Sequence, residues 1–129
     1  MHIRSSAISL NVDDVEASAR FLKTHFGFAE DMAADGFVSL SRADAGMNVI
    51  FLRTGLPSLK PEYLKTRKAD GLLVVFVVDD IDREYERLIG EDAKVLTPIE
   101  TETWGERYFQ VVDDNGVIIQ LVQWMRDAS

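Results

Sequence analysis

Val12-Asp13-Asp14-Val15-Glu16 returns as Val78-Asp79-Asp80-Ile81-Asp82, an offset of 66 residues. Each copy follows a stretch that reads as a strand and opens one that reads as a helix. Before the first copy, residues 7–12 alternate Ala7, Ser9 and Asn11 with Ile8, Leu10 and Val12, the pattern of a strand with one wet face. After it, Val15, Ala19, Leu22 and Phe26 recur at helical spacing over 15–26. An aspartate of the pair caps that helix, Glu16 adds negative charge to its first turn, and Gly27 ends it. After the second copy, Ile81, Tyr85, Leu88 and Ile89 form a similar stripe over 81–89, closed by Gly90. A second pair of segments repeats in the same order. Gly46-Met47-Asn48-Val49-Ile50-Phe51-Leu52 resembles Gly116-Val117-Ile118-Ile119-Gln120-Leu121 at an offset of 69 to 70.

Working outward, strands are expected over 28–32, 37–41 and 48–53 in the first half. In the second they are expected over 72–78, 93–96, 107–112 and 117–123. Asp35-Gly36, Ala45-Gly46 and Asp113-Asp114-Asn115-Gly116 mark turns. The run 72–78 is continuously apolar and reads as a strand buried on both faces. Pro57, Pro61 and two glycines make 55–71 a linker or long loop, with one helical turn about 62–65. Each half therefore reads strand, helix, strand, strand, strand. A half of about 60 residues is marginal alone. The chain is an α+β protein of two modules, 1–54 and 72–129, which must be covered within one chain or across a homodimer.

Composition narrows the functions. The 129 residues are 47% hydrophobic and 28% charged, an ordinary globular mix. A net charge of -8 repels phosphate backbones, so nucleic acid is not an expected partner, while cationic small molecules are attracted. No window has the roughly 18 apolar residues of a membrane span, and no targeting segment opens the chain, so a cytoplasmic protein is expected. The absence of cysteine removes disulfides, thiolate metal sites and cysteine nucleophiles. His2 and His25 read as surface residues. No Ser–His–Asp set or phosphate-cradling glycine loop is present.

The order of elements resembles the glyoxalase/bleomycin-resistance/extradiol-dioxygenase superfamily, the vicinal-oxygen-chelate fold. The resemblance spans nearly the whole chain. It rests on residues 10–18 leading to Phe26-Gly27-Phe28, on 76–82, and on Trp104-Gly105-Glu106-Arg107-Tyr108-Phe109 running into 113–121. Asp114 stands where the superfamily usually has proline, and it suits a turn equally. The resemblance implies paired βαβββ modules whose curled sheets enclose a cavity, with the helices outside. Strand alternation then turns Ser9, Asn11, Phe37, Phe51, Tyr108, Gln110 and Gln120 toward that cavity.

The superfamily's metalloenzymes place ligands on the first and last strands of each module. Carried over, those positions fall on Ala7, Phe51, Leu73 and Gln120, and only Gln120 has a coordinating atom. A slip of one residue gives Ile8, Ile50, Leu72 and Leu121, which have none. No metal, cofactor or catalytic residue is therefore expected. The superfamily's bleomycin-binding proteins carry a Trp-Gly segment like Trp104-Gly105, whose tryptophan stacks on the drug's flat rings. Here Glu100, Glu102 and Glu106 surround Trp104 and offer a cationic ligand a negative rim. The expected function is sequestration of a small aromatic or cationic organic molecule, as in antibiotic resistance. The expected site comprises Trp104, Phe51, Phe37, Asn11, Ser9, Tyr108, Gln110 and Gln120. Two alternatives stay open: a metal-independent lyase- or isomerase-like enzyme, and a structural member whose cavity is filled. Trp104 itself could instead anchor a loop or a dimer interface, and Trp124 is expected to pack.

Overall fold

The computed structural model describes residues 1–125. These divide into two compact units, Met1–Asp70 and a second that begins at Gly71. The first contains β1 (Ala7–Val12), α1 (Val15–Phe26), β2 (Ala29–Ala34), β3 (Phe37–Ser41), β4 (Asn48–Arg53) and a short 3-10 helix, Glu62–Thr66. The second contains β5 (Val74–Val77), α2 (Ile81–Gly90), β6 (Val95–Thr101), β7 (Glu106–Val112) and β8 (Ile118–Trp124). The fold is α+β, with a mixed four-stranded sheet in each unit. The strand orders are β1-β4-β3-β2 and β5-β8-β7-β6, so both halves share one topology. In each, the first strand runs parallel to the last and the other pairs are antiparallel.

The aspartate pairs do the local work read from the sequence. Asp14 accepts the N–H of Ala17 at 3.1 Å, and Asp80 accepts that of Arg83 at 3.2 Å, so the second member of each pair caps its helix. Gly27 takes the left-handed step that ends α1, at φ 66. Gly90 is the last residue of α2 but not its left-handed cap; Asp92 takes the left-handed conformation two residues on, at φ 60. In the β7–β8 turn, buried Asp113 accepts the N–H groups of Asn115 and Val117, both at 2.9 Å.

Helix and sheet bury one face of each unit. In the first, α1 packs on β3 and β4 and covers Leu10, Val12, Val38, Leu40, Val49 and Phe51. Registers of Leu10 with Phe51, Val38 with Phe51 and Leu40 with Val49 put these side chains on one face. In the second, Phe109, Val111, Ile119 and Leu121 are the covered set, and the ring of Phe109 meets Tyr85 of α2 edge-on at 4.8 Å.

Three expectations need correction. The 72–78 run is not buried on both faces. Only Val74–Val77 forms a strand, it lies at the sheet edge, and Leu73, Val75 and Val77 are 49%, 46% and 64% exposed. A continuous apolar run carries no period, so nothing in it distinguishes an edge strand from a central one. Strand β6 is longer than expected and runs past Pro98, which has no N–H to give and is tolerated at an edge, where register shifts also occur. The stretch expected as a linker packs back on the first unit. Leu56 and Leu59 are buried, the Ala69 N–H reaches the Asn11 carbonyl at 2.7 Å, and Lys68 pairs with Asp13.

Candidate functional site

The face of the second sheet turned away from α2 gathers four of the expected site residues. Tyr108 and Gln110 alternate with the buried Phe109 and Val111 on β7, and Gln120 lies directly opposite Gln110 on β8. Trp104 stands in the β6–β7 loop beside them and is 57% exposed. That loop has a defined backbone. Glu102 N–H donates to the Glu106 carbonyl, Gly105 N–H to the Glu102 carbonyl, and Met125 N–H to the Gly105 carbonyl, at 2.8, 3.0 and 2.7 Å. Gly105 sits at φ 90, where a side chain would be strained.

Side chains on this face form two hydrogen-bonded groups. In one, the Thr97 hydroxyl donates to Gln110 Oε1 at 2.7 Å and Gln110 Nε2 donates to Gln120 Oε1 at 2.8 Å. Gln120 Nε2 then reaches Glu106 Oε2 at 3.4 Å, while Glu106 Oε1 accepts the indole N–H of Trp104 at 3.1 Å. In the other, the Tyr108 hydroxyl lies 2.7 Å from Glu100 Oε1 and 2.9 Å from Glu102 Oε1. Its single proton serves one carboxylate at a time, so a negative, acceptor-rich edge remains beside Trp104.

Those hydrogen bonds to Glu100 and Glu102 hold the Tyr108 hydroxyl well above the ordinary tyrosine pKa of 10.0. The neutral phenol is favoured in the folded chain. Its contribution to stability is therefore complete below pH 10 and disappears as pH rises through the raised value. Ultraviolet titration of phenolate is expected to show one tyrosine ionising later than the rest. In the Glu100→Gln/Glu102→Gln variant that tyrosine should return toward 10.0. An unchanged alkaline titration would show that the carboxylates do not grip the phenol.

The charge of the chain is unevenly divided. Residues 1–70 hold nine Lys or Arg against nine Asp or Glu, whereas 71–129 hold five against thirteen. The entire net charge of -8 thus belongs to the unit that carries Trp104.

In the first unit, Ser9, Asn11 and Phe37 lie on the face turned away from α1, as expected. Asn11 and Phe37 flank Leu52 in one row. The amide of Asn11 has structural duties, donating to the carbonyls of Leu64 and Arg67 at 3.0 and 3.2 Å and so holding the 3-10 segment. Phe51 is displaced from its expected place. It is 1% exposed, in the core beneath α1, and Ile50 and Leu52 occupy the other face. Both alternating sets on β4 are apolar, so the strand's own sequence does not say which faces the helix. Trp124, expected to pack, is 48% exposed and stands opposite Glu106.

The positions at which the superfamily's enzymes hold metal do not suit a divalent ion. Ala7 and Leu73 have no donor atom, Phe51 points into the core with Ile50 in its stead, and the Gln120 amide is engaged on both sides. Among the described residues, no group of three or more His, Cys, Asp or Glu is placed to hold a metal ion. No helix of the described residues is long and apolar enough to cross a membrane.

Solved structures share this architecture. TioX from Micromonospora sp. ML1 is 22% identical over 95% of this chain and 99% of its own, with a TM-score of 0.70. A member of the Glyoxalase/bleomycin resistance protein/dioxygenase superfamily from Sphaerobacter thermophilus DSM 20745 is 22% identical over 95% and 98%, at 0.74. Lactoylglutathione lyase from Agrobacterium tumefaciens is 16% identical over 92% and 91%, at 0.72. At these identities the likeness is one of fold. No curated protein sequence matches the chain. The model of the Glyoxalase/Bleomycin resistance protein/Dioxygenase superfamily matches residues 3–121, and the chain belongs to that superfamily.

Proposed function

We propose that this protein binds a small, flat, positively charged organic molecule without transforming it, and does so without a metal. The observation that carries the reading is the exposed indole of Trp104, tethered to Glu106 beside the Glu100–Tyr108–Glu102 group. An aromatic face offers stacking and attracts cations, and neighbouring carboxylates add charge complementarity. The excess of acid over base in residues 71–129 strengthens that field. Stoichiometric capture of a drug would give resistance with no catalytic group. We propose that the working protein is a homodimer, supported by the exposed apolar strip of Val75 and Val77 on the edge strand β5, with Leu73 just before it. The Tyr108 hydroxyl, which a metal-independent enzyme could use as an acid or base if it were poised near neutral pH, is pushed the other way.

Calorimetric titration of metal-depleted protein with bleomycin tests the reading, at low and at high salt. Saturable binding that weakens with salt is expected. The Glu100→Gln/Glu102→Gln variant should bind roughly 2- to 30-fold more weakly, the range for losing two solvent-exposed charge interactions. Absence of saturation at high ligand would sink bleomycin as the ligand. Binding indifferent to salt and to both glutamates would remove charge from the account.

A further inference from the structure

We infer that Gln120 is a positioning residue that, through Glu106, fixes the orientation of the Trp104 indole; the inference rests on the ligand reading above for its consequence but not for its geometry. Gln120 lies on β8 and is 8% exposed, so its amide must find partners within the protein. Its oxygen is committed, accepting from Gln110 Nε2 at 2.8 Å. Gln110 is in turn oriented by the Thr97 hydroxyl, which donates to its oxygen at 2.7 Å. With its oxygen occupied in this sense, the Gln120 amino group donates to Glu106 Oε2 at 3.4 Å.

That contact sets how the Glu106 carboxylate turns. One oxygen faces Gln120 and the other receives the Trp104 indole N–H at 3.1 Å. Donors therefore run in a single sense from β6 across β7 and β8, and end on a carboxylate that also anchors the ring. The Trp104 loop backbone is already tied by Glu102, Gly105 and Met125. The freedom that remains is rotation of an exposed side chain, and the relay removes it. A stacking residue ordered before the ligand arrives spares the complex that ordering cost.

The test isolates Trp104 emission in a Trp124→Phe background, since the chain has two tryptophans. Fluorescence anisotropy of the ligand-free protein is then compared for the parent, Gln120→Met and Glu106→Ala. Both substitutions are expected to lower Trp104 anisotropy. Both should also weaken bleomycin binding by up to about tenfold, the cost of ordering one side chain. If Gln120 served only the fold, Gln120→Met would lower the melting temperature and leave the anisotropy at the parent value, and that result overturns the inference. Should Gln120→Met fail to fold, Glu106→Ala carries the same reading on a half-buried residue, and unchanged anisotropy there overturns it equally. Lowered anisotropy in a protein that does not bind bleomycin would uphold the positioning and defeat the ligand reading.

Discussion

Replacing Phe51 with alanine is expected to cost about 3–5 kcal/mol of stability, the range for removing a fully buried aromatic ring. The ring is 1% exposed and lies between Leu10 on β1 and Val38 on β3 in the layer that α1 covers. Both neighbouring strands are fixed by their ladders. A thermal midpoint lowered by on the order of 10–20 °C is the expected reading. The competing view, drawn from the superfamily's ligand positions, puts Phe51 in the wall of a binding site. It calls for lost binding in a protein of nearly unchanged stability. Denaturation and calorimetry of the one variant separate the two. A stable Phe51→Ala protein that no longer binds ligand would mean that β4 is turned over relative to the structure.

That strand shows where sequence reading stops. In β1 and β3, serine and asparagine alternate with leucine and valine, so each strand announces its wet face. Ser9, Asn11 and Phe37 fall on the face turned away from α1. In β7 the two faces differ less, yet Tyr108 and Gln110 were legible because Phe109 and Val111 are the more apolar pair. Strand β4 reads Asn48-Val49-Ile50-Phe51-Leu52-Arg53, apolar on both sides, and only pairing with β1 and β3 decides its orientation. The repeated aspartate pair was more informative than any strand. It located both helices, and with them the duplicated topology, because a cap is a local device whose chemistry depends on three neighbouring residues.

The members of the candidate site on the second sheet were legible in the sequence, and their wiring was not. Trp104, the three nearby glutamates, and Gln110 and Gln120 on one sheet face could be read from it. That Glu106 belongs to Trp104 and Gln120 while Glu100 and Glu102 belong to Tyr108 depends on cross-strand register, including the shifts in β6 between Val95 and Thr97 and between Thr97 and Glu100. Thr97, which orients the relay, sits in a stretch whose proline reads as a break. The helical character of Glu62–Thr66 was legible, but its attachment was not, because the Asn11 side chain that holds it lies more than fifty residues away in sequence.

Trp104→Ala is expected to weaken bleomycin binding at least about thirtyfold, matching the 2 kcal/mol or more typical of an aromatic hot spot. The fold should not notice. Trp104 is 57% exposed on a loop whose backbone is held by its own hydrogen bonds, so stability should change by no more than about 0.5 kcal/mol. Calorimetry is the proper readout, because the substitution removes the fluorophore together with the ring. Trp104→Phe divides the effect. It keeps a flat face for stacking but loses the N–H that Glu106 receives at 3.1 Å, so the ring is present and no longer held. If orientation matters as the relay implies, the phenylalanine variant binds between the wild type and the alanine variant. If it binds like wild type, stacking area alone accounts for affinity, and the link to Glu106 is incidental to binding. An alanine variant with wild-type affinity would move the site off this face of the second sheet altogether. The first unit's row of Asn11, Leu52 and Phe37 would then be the next surface to examine.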